Sequence, residues 1–365
     1  MNQKPVKPEG LSSSQTVLLA LLIGVSLGSV GLLGLALMVL LSHQRFGIDR
    51  SSKHGISVRD TSRLGGLAIA CFLFLVWALS YLNQSTELGL GLVVPLGSLP
   101  ILFLPVILIA LVGLAEDIGL EIKPLFRLMM MLAIGFVSFL LEPELLPNRL
   151  FKVLNIDGVL AVLVLAAASS VLLAGFVNAA NVSDGANGLL AGLSLVFFWL
   201  SWQLDGDGWL FYILVVLLCF WLINILTGRI LLGDLGAYAL GAFVVFEAFN
   251  LFDKHGVSLF FLASLLSYPC VELLRVMMVR LLRGQSPLSA DNAHLHNLLN
   301  AKLKGFLRGN TLPNSLTGLL IAITTSLPGV LTFNLGLQGN NVINLAAFCV
   351  QAFIFLFLSY RLSKA

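Results

Sequence analysis

Charged side chains are scarce in this sequence. Lys, Arg, Asp and Glu together supply 11% of its 365 residues, whereas 58% are hydrophobic, and the mean hydropathy is +0.98. Soluble globular proteins carry about 25% charged residues, so most of this chain must face lipid or other helices. The shortage excludes a large soluble domain. Because a soluble basic module is missing as well, nucleic acid is not expected as a partner.

Cysteines are few, and internal repeats are missing. Cys71, Cys219, Cys270 and Cys349 each lie in an apolar run, without the close spacing of metal ligands. They are therefore interpreted as core residues rather than as disulfides or a metal site. Many secondary transporters are built from internal repeats, so the absence of a repeat weakens a transporter interpretation.

Long uncharged runs are what the sequence has in abundance. They are about 20 residues long and do not alternate between polar and apolar residues, which favours spanning helices over barrel strands. The sequence predicts an all-α polytopic membrane bundle that forms a single domain over 1–365. The first span is longer than a signal-peptide core and is interpreted as a retained anchor. The eleven predicted spans are 17–41, 64–82, 94–115, 125–141, 159–177, 188–204, 209–227, 235–252, 257–277, 313–334 and 342–361.

The basic residues fall mainly on one side of this predicted bundle. Most of the 21 Lys and Arg residues lie in alternate loops and in the C-terminal tail. Because basic loops stay in the cytoplasm, we expect the N-terminus outside and the C-terminus in the cytoplasm. A basic cytoplasmic face suits anionic membrane lipids and phosphorylated substrates.

The strongest polar signal is the string from Asn178 to Gly188. Asn178, Asn181, Asp184 and Asn187 recur at every third position, so they line one face if the helix continues. Glycines in the string then break the helix and free backbone amides for phosphate oxygens. Single amides in membrane bundles often only join helices, but four amides and carboxylates in ten residues favour a functional site.

Acidic residues also follow or open other apolar runs. Glu116 and Asp117 end one run, with Arg127 ten residues beyond the pair, and Asp234 opens another just after Arg229. Asp234 is either a simple helix N-cap or a magnesium ligand, since Mg²⁺ is usually held by one or two carboxylates and substrate phosphates. The acidic pair is either a functional group or a helix end solvated at the head groups.

The first cytoplasmic loop contains Lys53, Arg63 and the pair Gly65–Gly66. Its basic residues either only fix the topology or hold a lipid phosphate. In the second case the glycines let the backbone approach that phosphate.

The last long loop contains His294 and His296, which are predicted in a turn or an extended segment because their spacing does not suit one helical face. They are phosphate contacts, metal ligands or idle surface. Pro269, inside the ninth predicted span, is expected to kink that helix and open a lateral groove.

In their order along the chain, these strings resemble the polyprenyl-phosphate N-acetylhexosamine-1-phosphate transferases. That family includes the phospho-MurNAc-pentapeptide translocase and the enzymes that begin O-antigen synthesis. The resemblance covers about 45–300. The pattern Asn-x-x-Asn-x-x-Asp-Gly-x-x-Gly-Leu matches Asn178 to Leu189, Gly-Asp-x-Gly matches Gly233 to Gly236, and His-x-His matches His294 to His296.

Several positions depart from the family pattern. Glu116 replaces the first Asp of a pair, Arg127 replaces a common Lys, and Asn187 replaces a second Asp. Asn297 replaces the third histidine of the peptidoglycan translocase. The chain is therefore more similar to the branch that initiates O-antigen and exopolysaccharide synthesis.

The resemblance implies transfer of a sugar 1-phosphate from a UDP-sugar to undecaprenyl phosphate, with release of UMP. The sugar is expected to be an N-acetylated amino sugar such as GlcNAc, and the cofactor Mg²⁺, with Mn²⁺ as an alternative. A transporter or lipid flippase, an inactive scaffold and a homodimer stay open. The implied catalytic residues are Asp117, Asp184 and Asp234; the metal ligands Asp234, Asp117 and Asn181; and the substrate-binding residues Lys53, Glu116, Arg127, Asn178, Asn181, Asn187, Arg229, His294 and His296.

Overall fold

A computed structural model describes residues 31–41, 48–49, 61–86, 100–287 and 293–364. The described chain is almost entirely helical, which confirms the all-α prediction. The helices are α1 (Gly31–Leu41), α2 (Gly65–Thr86), α3 (Phe103–Asp117), α4 (Pro124–Leu141), α5 (Arg149–Leu154), α6 (Gly158–Ser183), α7 (Leu189–Asp205), α8 (Gly208–Thr227), α9 (Gly233–Lys254), α10 (Leu259–Leu265), α11 (Ser267–Leu282), α12 (Leu295–Lys304), α13 (Thr311–Asn334) and α14 (Asn341–Ser363), with a 3-10 turn at Pro143–Leu145.

Two short strands lie beside the helix ends. Strand β1 (Ile48–Asp49) pairs antiparallel with β2 (Thr61–Ser62), so that Ile48 faces Ser62. Ser62 also forms a parallel bridge with Ile230, in the segment between α8 and α9. The start of α2 is thereby tied to the start of α9.

Six helices of the described part are long and apolar enough to cross a membrane: α4, α6, α8, α9, α13 and α14. The bent pair α10–α11 makes a seventh. The predicted count of eleven is not confirmed among the described residues, because α7 is apolar but shorter than 18 residues and α3 has 15 residues. Part of the first predicted span, 17–30, lies outside the described residues.

The ninth predicted span is broken into two helices. Helices α10 and α11 are bent by 79° at Leu266, so the predicted kink is present and sharper than a proline bend. Pro269 lies in the first turn of α11, where its missing N–H removes no helical hydrogen bond.

Helix α9 forms the centre of the bundle, and nearly all of its residues are buried. Small residues let its backbone touch its neighbours: a Cβ on Gly66 of α2 would collide with the backbone of Gly236, and one on Gly241 would meet Val177 and Ala180 of α6. Gly65 and Gly66, which were predicted to let the backbone approach a phosphate, both pack closely against other segments of the protein.

Glu247 is buried in the middle of this central helix. Its carboxylate accepts a hydrogen bond from the Ser201 hydroxyl and one from Asn250 Nδ2 at 3.3 Å. A buried carboxylate is tolerated when donors surround it, so the predicted span 235–252 is a continuous helix in spite of its charge.

Candidate active site

The N-terminus of α9 is held by Asp117, the last residue of α3. The two carboxylate oxygens of Asp117 accept the backbone N–H groups of Asp234 and Leu235 at 3.0 and 2.9 Å. A helix leaves its first N–H groups without partners, and a carboxylate there is favoured by the helix dipole. Gly233, at φ 72°, makes the tight turn that brings these amides onto Asp117.

Arg63 bridges two of the predicted catalytic acids. Its Nε lies 3.4 Å from Asp117 Oδ1, and its Nη2 lies 3.2 Å from Asp234 Oδ2. The Arg63 side chain is 33% exposed, against 2% for Asp117 and 15% for Asp234. The Arg63 guanidinium therefore lies between Asp117 and Asp234 on one side and solvent on the other.

Asp184 and Asn181 reach the same place from the end of α6. The Asn181 side chain hydrogen-bonds the Asp234 carboxylate. Burial raises the pKa of Asp184 well above its usual value, and the charges of Asp234 and Asp117 raise it further. Because the charges of Asp234 and Asp117 both act on Asp184, we group the three predicted catalytic acids as the acid cluster (Asp117, Asp184 and Asp234).

Burial also dominates the titration of Asp117. It raises the pKa of this carboxyl from 3.8 to about 6, with the charge of Asp234 acting in the same direction and the Leu235 N–H and Arg63 opposing it. Protonation is therefore easier in the folded protein than in the unfolded chain.

The variant Asp117→Asn tests this shift through stability. A raised pKa stabilises the folded state below the unfolded value of 3.8, and that advantage is lost as the pH rises toward about 6. The melting temperature of the wild type minus that of Asp117→Asn should fall between about pH 4 and pH 6 and then level off. A difference that rises over this range would contradict the assignment.

Glu116 and Arg127 pair with each other beside the acid cluster. Arg127 Nη1 donates to both Glu116 oxygens, at 3.0 and 2.9 Å. The Tyr238 hydroxyl donates to Glu116 Oε2 at 2.6 Å, and the Arg127 guanidinium lies over the Tyr238 ring. Sequence reasoning missed Tyr238, although it follows Asp234 by four residues and so shares its helical face.

Two amides of the mid-chain string bond within the protein. Asn178 Nδ2 donates to the backbone of Ala174 at 2.7 Å. Helix α6 ends at Ser183, so Asn187 lies in the following turn and not on the predicted common face. Asn187 bonds instead to the start of α13, at Asn314 and Ser315.

Two predicted basic residues are less informative. The backbone of Arg229 joins the loop pairing, since its carbonyl accepts the Ser62 N–H at 3.1 Å. Lys53 lies outside the described residues.

The two predicted histidines lie side by side over the mid-chain turn. His294 is extended, as predicted, whereas His296 is in the first turn of α12. Their rings stack with centroids 5.3 Å apart. A Cβ on Gly185 would collide with the His296 imidazole. The His296 ring therefore packs directly against Gly185, the residue that follows Asp184.

Within the described ranges, no group of three or more His, Cys, Asp and Glu side chains is placed to bind a metal by itself.

Fold and site together define a polytopic helical membrane protein with an acid cluster at the ends of α3, α6 and α9. Residues 99–251 match the family model described as glycosyl transferase family 4. That segment contains the acid cluster, whereas the histidine pair lies beyond it. This match and the relatives described below support the similarity to the polyprenyl-phosphate hexosamine-1-phosphate transferases that the motifs predicted.

Individual relatives carry one name. The undecaprenyl-phosphate alpha-N-acetylglucosaminyl 1-phosphate transferase of Escherichia coli is 29% identical over 136 residues, which is 34% of this chain and 37% of that protein. The Thermotoga maritima protein of the same name is 30% identical over 129 residues, 35% of this chain and 41% of that protein. The matched part thus spans about two fifths of these relatives.

Proposed function

We propose that this protein transfers a sugar 1-phosphate from a UDP-sugar to undecaprenyl phosphate, giving the lipid-linked diphosphate sugar and UMP. The observation that carries the proposal is the acid cluster. Three acids separated by up to 117 positions in the chain meet at helix ends, and the Arg63 guanidinium pairs with two of them, Asp117 and Asp234. The names of the relatives described above identify undecaprenyl phosphate as their acceptor.

Charge supports a divalent cation as cofactor. Arg63 pairs with two of the three carboxyl groups of the acid cluster, Asp117 and Asp234, while Arg127 pairs with Glu116. The excess negative charge suits Mg²⁺, or Mn²⁺ as an alternative, which would neutralise charge on the diphosphate of the donor. Asp234, Asn181 and Asp117 are the proposed ligands. The Asp117 oxygens also cap α9.

Cationic groups near the acid cluster suit the phosphates of both substrates. Arg127 Nε is buried and has no hydrogen-bond partner among the described residues, so its N–H would gain a partner if a phosphate oxygen entered beside it. The Arg63 side chain is partly exposed beside Asp117 and Asp234. With Lys53 and the histidine pair, these residues would bring two anionic substrates together, which is the principal electrostatic problem of the transfer.

The cellular setting follows from the same proposal. We propose that the reaction takes place at the cytoplasmic face of a bacterial inner membrane, because the proposed acceptor is a membrane lipid. The proposed orientation, with the N-terminus outside and the C-terminus in the cytoplasm, rests on the placement of the Lys and Arg residues. The reaction would be the first membrane step of O-antigen or exopolysaccharide synthesis. GlcNAc is the first sugar to test, and deoxy-amino sugars such as QuiNAc and FucNAc are alternatives.

Purified protein in detergent should release UMP from a labelled UDP-sugar when undecaprenyl phosphate and Mg²⁺ are both present. The donor panel includes UDP-GlcNAc and UDP-linked deoxy-amino sugars, and mass spectrometry identifies the lipid product. Omission of the lipid is the control, because UMP release must depend on the acceptor. If no donor in the panel yields UMP, the proposal is wrong.

A further inference from the structure

Two residues of α11 hold the histidine pair from one side. Tyr268 and Glu272 are four residues apart on this helix, so they project from the same face. The Tyr268 hydroxyl lies 2.8 Å from His296 Nδ1, and Glu272 Oε1 lies 3.2 Å from His294 Nδ1. The two rings are parallel to within 5°. Both therefore turn Nδ1 toward α11 and Nε2 away from it.

Glu272 fixes the proton position of His294. Its side chain is 1% exposed and accepts hydrogen bonds from Arg275 Nε and Nη2 at 3.1 and 2.5 Å. It also accepts the Leu295 N–H at 3.1 Å. This set of donors requires an ionised carboxylate, which can only accept. His294 must then carry a hydrogen on Nδ1, so the Nε2 of the neutral ring is an acceptor.

Tyr268 imposes the reverse on His296. The phenol is completely buried, and its oxygen already interacts with the backbone N–H of His296. A buried hydroxyl hydrogen needs an acceptor, and His296 Nδ1 lies within hydrogen-bond distance of it. The phenol therefore donates to Nδ1, which leaves the ring hydrogen on Nε2. Burial, assisted by His294, lowers the pKa of His296 to about 3. The ring therefore stays neutral at neutral pH and keeps a single hydrogen.

We infer that Tyr268 and Glu272 are positioning residues that hold His296 and His294 in opposite tautomers, so that the stacked pair presents one N–H donor and one nitrogen acceptor. The inference rests on the proposed function and deepens it. His296 Nε2 lies against Gly185, beside the acid cluster, where its N–H suits a phosphate oxygen of the donor substrate. The acceptor on His294 suits a hydroxyl group of the same substrate.

A purely structural role for the two residues makes a different prediction. The Leu295 and His296 N–H groups are at the start of α12, and their contacts with Glu272 and Tyr268 cap that helix. Capping alone leaves each imidazole free to exchange its hydrogen between the two nitrogens. The test must therefore observe the ring nitrogens directly and not only stability.

Nitrogen-15 NMR of the protein labelled at histidine makes this observation. The chain has only five histidines, and the variants His294→Asn and His296→Asn assign the two signals by their loss. We expect Nδ1–H for His294 and Nε2–H for His296 in the wild type near neutral pH. Finding both rings in the same tautomer, or either ring as a mixture, would overturn the inference.

The variant Tyr268→Phe removes only the hydroxyl group. We expect His296 to become a mixture of tautomers while His294 is unchanged. We also expect kcat/KM for UMP release to fall about 10-fold, by analogy with the loss of a group that orients a metal-bound histidine. Tyr212→Phe, a completely buried tyrosine on α8, is the matched control and should leave spectra and rates unchanged. An unchanged His296 signal in Tyr268→Phe would refute the role of Tyr268.

These readouts separate the inference from the proposed function. The tautomers are measured without substrate, so a protein that shows opposite tautomers and releases no UMP supports the ring assignment and refutes the transferase proposal. A protein that releases UMP with both rings in one tautomer refutes the ring assignment alone.

Discussion

Replacing Asp234 with Asn is expected to lower the rate of UMP release by about 10²- to 10³-fold, the usual effect of removing one preorganised charged or polar group from a reaction centre. Asp234 Oδ2 faces Arg63 at 3.2 Å, and its carboxylate accepts a hydrogen bond from Asn181. Asn has nearly the same size, and the backbone N–H of residue 234 still reaches Asp117. The variant therefore removes a charge and leaves the start of α9 in place.

Asp253→Asn is the matched control for this variant. Asp253 lies on the same helix 19 positions later, about 28 Å away at the rise of an α-helix, and it accepts the N–H groups of Asn148 and Arg149. Its substitution should leave the rate within about twofold of wild type. Weaker binding of Mn²⁺ by Asp234→Asn, measured by electron paramagnetic resonance, would separate loss of a metal ligand from other causes. Wild-type rates for Asp234→Asn would contradict the proposed role of the acid cluster.

The sequence alone predicted which polar segments the structure brings together. The string from Asn178 to Gly188, the start of α9 at Asp234 and the histidine pair each break an apolar run with polar residues, which is unfavourable in a membrane without a compensating role. The structure places Asp184, Asp234 and His296 within one neighbourhood. These polar residues could be recognised from the sequence because the segments around them are strongly apolar.

Contacts between distant segments were beyond sequence reasoning. Asp117 caps a helix that begins 116 positions later, and nothing near it in the chain marks that role. Arg63 was grouped with the basic loop residues, whereas its position over two acids depends on the bridge between Ser62 and Ile230. Such contacts follow from how helices pack, which single-sequence patterns do not encode.

The number of spans was also not settled by apolar runs. Hydropathy counts apolar length, but helices such as α7 are buried in the bundle by packing and do not have to match the bilayer thickness alone. The break between α10 and α11 lies three residues before Pro269. A proline in the sequence therefore indicated the bend without locating it.

The largest structural effect is expected from Gly113→Ala on α3. A Cβ at this position would collide with the carbonyl of Asp234 and lie 2.7 Å from Leu235 N. These are backbone atoms, so the two helices must separate, and overpacking of this kind destabilises by about 1–3 kcal/mol. Asp117 follows four residues later on the same face of α3. Its contacts with the α9 amides should lengthen, and UMP release should fall by more than about tenfold, because the acid cluster depends on preorganised geometry.

Gly175→Ala controls for the substitution itself. Gly175 is also inside an apolar helix, α6, but a Cβ there would meet no atom within 4 Å. Alanine is favoured over glycine in helices by about 0.5–1 kcal/mol, so this variant should melt at the same temperature as wild type or higher and keep its rate. Melting temperatures in detergent and UMP release measured on both variants separate close packing from helix propensity. If Gly113→Ala melts and turns over like Gly175→Ala, α3 and α9 are not in the contact that aligns Asp117 with Asp234.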